Sequence, residues 1–357
     1  MIILGVETSC DETSIAVLKT DGDGFTVLAN VVSSQVKTHA PFGGVVPMLA
    51  AREHTRNIGP VFDMAVREAG LQDPRNEIDL IAVTRGPGLG PALLVGLTFA
   101  RTLAMQWDKP IIGINHMEGH IYSNWLPPSQ FSVSNFSFPV LNLLVSGGHT
   151  ELILMTDHGE YERLGETQDD AVGEAFDKAA RLLGLAYPGG PALSGLASSG
   201  RADAYALPRP MSKSGDLNFS YSGLKTAVLY LIRDLTRDGK TLDGQQKADI
   251  AASFQEAAVD VLIQKTRTAA LEHKPGAILL SGGVSANSLL RERLAALGKE
   301  LNIPVSVPGI AWTGDNAAMI AAAGYSRYAE EKTTGPRSWE SVVMNANLRL
   351  GDTGAAS

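Results

Sequence analysis

Two segments far apart in the chain share one design, an apolar strand that runs directly into Ser-Gly-Gly. Residues 140–155 read VLNLLVSGGHTELILM and residues 278–287 read ILLSGGVSAN. Adjacent glycines let backbone N–H groups approach a ligand closely, and such loops commonly hold phosphates. Residues 2–18, IILGVETSCDETSIAVL, have the same outline of strand, small polar turn and strand. The three segments predict a nucleotide held between two related lobes.

The alternation of strands and helices along the chain indicates an α/β fold. With 357 residues and 44% hydrophobic content, the chain is long enough for two lobes with sizeable cores. We expect the two-lobed actin-like ATPase (sugar kinase/Hsp70/actin) fold, each lobe a mixed sheet flanked by helices. The expected divisions are an N-terminal lobe over 1–135, a C-terminal lobe over 136–330 and a tail over 331–357.

Two stretches predict irregular connections. Residues 125–139 are polar and contain prolines, which favours a crossover between the lobes. Residues 184–245 are rich in Gly, Ser and Pro, and we expect them to be irregular up to a helix that begins around Leu224.

Composition limits the cellular setting and the partners. Cys10 is the single cysteine, which excludes an intrachain disulfide and fits a reducing compartment. Glu7 and Asp11 interrupt the first apolar run, so it does not read as a signal peptide, and no run approaches the roughly 20 apolar residues of a membrane span. We expect a soluble cytoplasmic protein. The net charge of −8 argues against nucleic acid unless a local basic patch or a partner binds it.

A pair of histidines is the clearest candidate metal site. Residues 116–120 read HMEGH, and on a helix the i and i+4 spacing places His116 and His120 on one face. Two surface histidines at a helix start remain the plain alternative. A zinc-peptidase helix needs Glu directly after the first His, whereas Met117 stands there and Glu118 points to another side of the helix. The pattern therefore disfavours a peptidase.

Asp315, in TGDNAAMIA, precedes an Ala-rich helix. By itself it reads as an N-cap, for which Asp is well suited. The alternative is a third metal ligand brought in from the far lobe. Two histidines and a carboxylate leave coordination positions open for a substrate, as catalytic sites do.

Three further patterns have a plain and a functional interpretation. The turn 85–91, RGPGLGP, reads chiefly as tight packing of helix on sheet, with ligand contact as the alternative. Four acidic residues lie close to the expected cleft, where solvated or capping roles are the plain interpretation: Asp11, Glu12, Glu174 and Asp177. Four cations bracket the aromatic residues of FSYSG in a stretch that is either an RNA-binding patch or an ordered loop: Arg201, Arg209, Lys213 and Lys225.

Taken together, the motifs resemble one family over roughly residues 1–330. The segments that carry the resemblance, in family order, are GVETSCDETSIAVL, GGVVP, GPGLGPALLVG, NHMEGH, LLVSGGHTEL, GEAFDKAARLLGL, YPGGP, FSYSGLKTAV, LSGGVSAN and GDNAAMIA. The chain is similar to the tRNA N6-threonylcarbamoyladenosine transferase family, whose older label is the glycoprotease family. It departs from the family at Met48, where relatives usually have Glu.

The resemblance implies an activity and a set of site residues. The activity is transfer of a threonylcarbamoyl group from threonylcarbamoyl-AMP to N6 of adenosine 37 in tRNAs that read ANN codons. His116, His120 and Asp315 match the family's metal ligands, for one divalent ion per subunit, Fe²⁺ rather than Zn²⁺. Asp11 and Glu12 match acidic positions near the transferred group, where we expect catalytic roles. Contacts to substrate or adenine nucleotide (threonylcarbamoyl-AMP, ATP or ADP) match Leu144, Val145, Ser146, Gly147, Gly148, Asp177, Gly190 and Asn287.

The resemblance also implies partners. They are tRNA, a TsaB-type paralogue, a TsaE-type ATPase and an upstream threonylcarbamoyl-AMP synthase, with shared RNA binding as an answer to the negative charge. Three alternatives stay open: a small-molecule kinase of the same fold, a metallopeptidase, and a non-catalytic nucleotide-binding subunit.

Overall fold

The computed structural model describes residues 1–129, 137–331 and 338–351. The strands are β1 Ile2–Glu7, β2 Glu12–Thr20, β3 Phe25–Ser34, β4 Leu80–Gly86, β5 Ile111–Asn115, β6 Val140–Val145, β7 Thr150–Asp157, β8 Glu160–Glu166, β9 Ala277–Ser281 and β10 Val305–Ser306. The helices are α1 Val36–His39, α2 Pro47–Glu68, α3 Pro74–Glu77, α4 Gly90–Trp107, α5 His116–Tyr122, α6 Val172–Leu182, α7 Gly189–Ala197, α8 Ser222–Leu235, α9 Gly244–His273, α10 Ser288–Leu301 and α11 Ala317–Glu331.

The described residues divide into two compact units. Unit 1 lies within Met1–Phe136, Asp157–Tyr161 and Pro308–Ser357, and unit 2 within Ser137–Thr156 and Glu162–Val307. The sequence-based division differs at its C-terminal boundary, because residues after 307 group with the N-terminal unit rather than with a C-terminal lobe and a tail. The expected crossover at 125–139 lies partly outside the described residues, which stop at 129 and resume at 137.

Unit 1 is built on a mixed five-stranded sheet in the order β3-β2-β1-β4-β5. β1 and β2 form the antiparallel hairpin that the N-terminal pattern predicts, with Ile2 opposite Lys19 and Glu7 opposite Ser14. β4 lies parallel to β1 on its other side, and β5 lies parallel to β4. This arrangement brings the carboxyl ends of β1, β4 and β5 to one edge of the sheet.

Helices cover both faces of the unit 1 sheet. α2 buries Ile58, Val61 and Ala65 at helical spacing in the same core as α4 and the sheet. On the other face α11 approaches β1 closely, since a Cβ added at Gly5 would lie 2.1 Å from the carbonyl oxygen of Ala317. A side chain at residue 5 would push α11, and the residues that precede it, away from the sheet.

Unit 2 repeats the topology. Its sheet has the order β10-β9-β6-β7-β8, with β6 and β7 antiparallel and β9 and β10 parallel to β6. The long helix α9 supplies much of the core, where Phe254 packs edge-on against Phe176 of α6 at 5.1 Å between ring centroids. Both units are thus mixed sheets opened by an antiparallel hairpin, as the sequence predicts.

One expectation about helices needs correction. Residues 184–245 are not irregular up to the helix near Leu224, because α7 forms at Gly189–Ala197. α2 begins at Pro47, whose fixed φ suits a first helical turn. None of the helices in the described ranges combines the length and the apolar character needed to cross a membrane.

Candidate functional site

The histidine pair opens helix α5 at the carboxyl edge of the unit 1 sheet. Asn115 ends β5 and caps the helix, since its side chain accepts a hydrogen bond from the Met117 N–H at 2.8 Å. The ring centroids of His116 and His120 lie 4.7 Å apart. Both side chains are buried and share one face of the helix, as the i, i+4 spacing predicts.

Asp315 faces this pair. Its Oδ1 lies 3.4 Å from His116 Nε2 and 3.2 Å from His120 Nε2. It is not the helix cap, because Asn316 accepts the hydrogen bond from Met319 N–H at the start of α11. The expectation that Asp315 comes from the far lobe is wrong, since all three residues lie in unit 1.

Glu7 contacts the ring nitrogen of His116 that does not face Asp315. Its Oε2 lies 3.0 Å from His116 Nδ1 and accepts a hydrogen bond of 2.5 Å from the Thr84 hydroxyl. Burial would raise the pKa of Glu7, but the neighbouring His116 outweighs burial and lowers it. Burial likewise opposes the charged form of His116, yet Asp315 and Glu7 together raise its pKa well above the usual range.

The three residues fit a divalent cation. One ligand atom from each of His116, His120 and Asp315 can be chosen so that all lie within 4.8 Å of one another. Imidazole and carboxylate ligands suit first-row transition metals. His120 Nδ1 is buried and has no hydrogen-bond partner among the described residues, so its ring is less constrained than that of His116. The carboxylates of Glu7 and Asp315 lie against the two ring nitrogens of the buried His116, and their negative charges favour a positive charge beside this ring.

Glu7 and Ser9 were missed by sequence reasoning. A carboxylate that ends an otherwise apolar strand, IILGVE, is the signal that singles out Glu7. Ser9 Oγ lies 3.2 Å from His116 Nδ1. The ionised Glu7 holds the proton on that nitrogen, so His116 cannot accept the Ser9 proton there and does not activate the hydroxyl as a nucleophile.

The acidic turn lies between β1 and β2 in the same unit. Asp11 is buried, and Glu12 Oε1 accepts a hydrogen bond of 3.0 Å from the Ser34 hydroxyl. Burial raises the pKa of Glu12 to about 9, and the negative charges of Asp315 and Asp11 add to the shift. Burial also raises the pKa of the Cys10 thiol, which keeps it protonated.

Unit 2 contains a separate cavity of about 500 Å³. Four of the sequence-predicted positions line it, each from a different segment: Gly147, Asp177, Gly190 and Asn287. The two Ser-Gly-Gly loops meet beside it, since a Cβ at Gly282 would lie 2.3 Å from the Val145 carbonyl oxygen. Gly173, in the first turn of α6, is equally tight against Ser146, at 2.5 Å from its carbonyl oxygen. Glycine at these positions lets helix and loops close around the cavity.

Leu144 and Val145 are placed differently from the loop residues. Both are fully buried strand residues of β6, paired with Glu151 and Thr150 of β7. They are absent from the lining of the cavity described above. Gly147 and Gly148 are exposed at the end of the strand, so the loop, rather than the strand, presents its backbone to the cavity.

Asp177 and Asn287 organise the cavity walls. Asp177 Oδ1 accepts hydrogen bonds from the N–H groups of Gly189 and Gly190 at 2.8 and 3.0 Å, which fixes the start of α7. Burial raises the pKa of Asp177.

The Asn287 side chain accepts a hydrogen bond from the Leu290 N–H, which caps α10, and it donates to Ser194 Oγ and Gln255 Oε1. Both amide protons of Asn287 are therefore already used.

The glycine-rich turn 85–91 is a packing element. A Cβ at Gly86 would lie 1.8 Å from the carbonyl oxygen of Asn345, and one at Gly88 would lie 2.6 Å from that of Ser9. Both glycines have φ near +150°, a backbone conformation that residues with a Cβ atom rarely adopt. The turn is therefore tightly packed, but its neighbours are the segment around Asn345 and the turn at Ser9 rather than a helix on the sheet.

The cation and aromatic stretch does not provide stacking surfaces. Phe219 and Tyr221 are fully buried in the unit 2 core. Lys225 pairs with Asp170 at 3.1 Å, and Arg209 pairs with Asp260 at 2.7 Å. The interpretation that these aromatics bind looped RNA is therefore wrong, and the stretch is an ordered segment in which Arg209 and Lys225 are paired with acidic residues of unit 2.

Comparison with solved structures identifies the class of fold. Full-length HypF in its phosphate- and nucleotide-bound form is similar with a TM-score of 0.59 and 14% identity, over 93% of this chain and 46% of that one. HypF from T. kodakarensis is similar with a TM-score of 0.55 and 16% identity, over 92% of this chain and 47% of that one. The chain has the actin-like ATPase fold, and at this identity the likeness extends to the fold alone.

Sequence comparison then identifies the family. The model of the TsaD family, described as tRNA N6-adenosine threonylcarbamoyltransferase, matches residues 26–322, and the chain belongs to that family of transferases. Relatives with that description are 49% identical in Thermosipho africanus, over 92% of this chain and 94% of theirs, and 48% identical in Burkholderia thailandensis, over 96% and 97%.

Proposed function

We propose that the chain transfers the threonylcarbamoyl group of threonylcarbamoyl-AMP to N6 of adenosine 37 in tRNAs that read ANN codons. The convergence of His116 and His120 Nε2 on Asp315, in a chain that belongs to this family, is the observation that carries the proposal. A small-molecule kinase has no need of such a pair, and Glu118 Oε1 accepts hydrogen bonds from Arg327 and Tyr161, which assigns it a structural role rather than that of a peptidase base.

In the reaction, N6 attacks the carbamoyl carbon, the bond from that carbon to the phosphate oxygen breaks, and AMP leaves with the electron pair while N6 loses a proton. Because AMP is a good leaving group and an exocyclic amine is a weak nucleophile, the enzyme has mainly to orient the reactants and stabilise charge on the carbamoyl oxygen. His116, His120 and Asp315 would hold a divalent ion, which would supply Lewis-acid chemistry to stabilise that charge. We propose Fe²⁺ rather than Zn²⁺, since two histidines and one carboxylate are the usual ligands of non-haem iron.

The acidic turn supplies the proton chemistry in this proposal. Burial raises the pKa of Glu12, with the Asp315 and Asp11 charges adding to the shift, which favours the protonated form that can donate a hydrogen bond to the developing oxyanion. Asp11, one residue away, is our candidate for accepting the proton that N6 loses. Neither role needs the protonated Cys10 thiol.

The unit 2 cavity is the proposed adenylate site. Backbone amides of the Ser146-Gly147-Gly148 loop, rather than the buried strand residues Leu144 and Val145, would hold the phosphate, and Asp177 and Gly190 would contact the nucleoside. Since both Asn287 amide protons are used within unit 2, we assign Asn287 chiefly to shaping the cavity between α7, α9 and α10.

We propose that the protein acts on tRNA together with a TsaB-type paralogue and a TsaE-type ATPase in the cytoplasm, downstream of a threonylcarbamoyl-AMP synthase. The net charge of −8, and the pairing of Arg209 and Lys225 with acidic residues of unit 2, support a shared RNA-binding surface.

The test is transfer itself. Purified protein with its TsaB-type and TsaE-type partners receives unmodified tRNA and threonylcarbamoyl-AMP, and the digested nucleosides are analysed by mass spectrometry. We expect threonylcarbamoyladenosine. No product with verified adenylate and active partners would contradict the proposal and favour the kinase or the non-catalytic subunit.

A further inference from the structure

Unit 1 contains a second buried histidine pair, away from the metal ligands. His39 ends α1 and His54 lies in α2, and both side chains are fully buried. Buried imidazoles need hydrogen-bond partners at both ring nitrogens to offset their desolvation. Every partner is defined here, and together the partners form one continuous chain.

The direction of every bond in the chain is fixed by chemistry. His54 Nε2 lies 3.0 Å from the carbonyl oxygen of Cys10, which only accepts, so Nε2 carries the proton and Nδ1 is an acceptor. Gln35 Nε2 donates to that Nδ1 at 3.3 Å, and its second contact, at 3.4 Å from the Ala50 carbonyl oxygen, identifies the amide nitrogen.

The same logic extends outward from Gln35. Its Oε1 accepts from His39 Nε2 at 3.0 Å, so His39 Nδ1 accepts in turn from the Val46 N–H at 3.3 Å. Four groups, those of Val46, His39, Gln35 and His54, thus donate in one direction, and the chain ends at the Cys10 carbonyl oxygen in the acidic turn. Burial lowers the pKa of His54, which keeps the ring neutral as its acceptor nitrogen requires.

The chain ends at the turn that carries the acidic residues. The Thr13 hydroxyl also donates to His54 Nδ1 at 2.8 Å. The Gln35 N–H donates to the Asp11 carbonyl oxygen at 2.9 Å. Together with the hydrogen bond from His54 to the Cys10 carbonyl oxygen, these bonds connect the turn to β2, to the residue that follows β3 and to α2. The side chains of Asp11 and Glu12 are therefore aimed by a backbone that His54 and Gln35 anchor.

We propose that His54 is a positioning residue for the transfer reaction, which holds the Cys10–Glu12 turn in its reactive geometry through the neutral, Nε2-protonated ring. The inference rests on the proposed function, in which Asp11 and Glu12 take part. Because displacement of a reacting group by about 1 Å can slow a reaction by roughly 100-fold, releasing the turn lowers kcat rather than the affinity for threonylcarbamoyl-AMP.

The first experiment reads the tautomer and needs no activity. In protein labelled with ¹⁵N-histidine, long-range ¹H–¹⁵N spectra distinguish the two ring nitrogens, and His54→Gln identifies the His54 signals. A neutral ring protonated at Nε2 is expected. A ring protonated at Nδ1, or at both nitrogens, would overturn the inference.

The second experiment compares two polar substitutions. The amide of His54→Gln reaches the Nε2 position and can still donate to the Cys10 carbonyl, whereas the shorter His54→Asn cannot. We expect kcat to fall roughly 10- to 100-fold in His54→Asn and to recover largely in His54→Gln, with KM and metal content unchanged in both. Ile58→Ala, a buried change one turn further along α2, controls for lost stability. Equal kcat in His54→Asn and Ile58→Ala would refute the positioning role.

Failure of the proposed function would be seen separately, as no product from the unaltered protein. Amide hydrogen exchange of the peptide spanning residues 8–14 then decides the inference. Faster exchange in His54→Asn than in His54→Gln supports the anchor, and equal exchange contradicts it.

Discussion

Glu7 and His116 are held 3.0 Å apart between a carboxylate oxygen and Nδ1, both buried, at the ends of β1 and β5. The contact leaves His116 Nε2 facing Asp315. A carboxylate that accepts the far ring proton of a metal-binding histidine fixes its orientation and raises its basicity. The strand order, which places β1 and β5 on either side of β4, brings the two residues to the same edge.

Glu7→Gln is expected to weaken metal binding by roughly 10- to 100-fold, because the neutral amide stabilises the ligand less and can present its N–H to Nδ1. Competition with a chromophoric chelator measures the affinity. Glu300→Gln, an exposed acid of unit 2 paired with Arg267, is the matched control and should leave affinity unchanged. Equal affinities for the two variants would show that Glu7 has no part in the site.

Gly5→Ala is expected to destabilise the protein by about 1–3 kcal/mol, since the added methyl would overlap the Ala317 carbonyl oxygen and force α11 from the sheet. Urea unfolding measures the loss. Gly24→Ala has open space around its Cβ in the same unit and should change stability by less than about 0.5 kcal/mol. Comparable stability of the two variants would disprove the close approach of α11 to β1.

Gly173→Ala is expected to lower the affinity for ADP by about tenfold or more, because its Cβ would displace Ser146 and Gly147 at the mouth of the unit 2 cavity. Isothermal titration calorimetry provides the affinity. Gly244→Ala, with no neighbour within 4 Å of the new atom, serves as the control. Unaltered binding in Gly173→Ala would place the nucleotide elsewhere.

Asp169 predicts a pH dependence of stability. It accepts hydrogen bonds from the hydroxyls of Ser220 and Ser222 and from two backbone N–H groups. Burial would raise its pKa, but these bonds outweigh burial and lower it. A lowered folded-state pKa means that the stabilisation is present above about pH 4 and is lost as pH falls through the folded-state value.

We therefore expect Asp169→Asn to cost about 1 kcal/mol near pH 7, a modest value because the side chain is exposed, and the difference from the unaltered protein to shrink below about pH 4. Urea unfolding across this pH range is the measurement. A difference that grew as the pH fell would have the wrong sign for this account.

Patterns local in sequence predicted the hairpins, the helix near Leu224 and the histidine pair, because they depend on spacing within one element. Asp315 could not be separated from a helix cap by its own context, since both roles use the same residue type at the same place, and the structure shows that Asn316 is the cap. Its assignment to the far lobe failed because residues after 307 return to unit 1.

The sequence did not predict which residues far apart in the chain become neighbours in the fold. Glu7 and His116 are 109 positions apart, and only the strand order makes them neighbours. The stretch around Phe219 and Tyr221 left an RNA-binding patch and an ordered loop as alternatives, because the burial of these aromatics depends on how α8 packs in unit 2, which composition does not encode. α7 was missed because its sequence, GGPALSGLA, has poor helix propensity and is ordered at its start by Asp177.

The most direct test of the central claim is the metal dependence of transfer. Protein stripped by a chelator is titrated with Fe²⁺ without oxygen, and bound metal and threonylcarbamoyladenosine are measured on the same samples, with His116→Ala in parallel. The account predicts that product rises with bound metal, reaches its maximum at one ion per chain, and stays at background in a folded His116→Ala protein that retains no metal. Full activity in the stripped protein, or in His116→Ala, would contradict it.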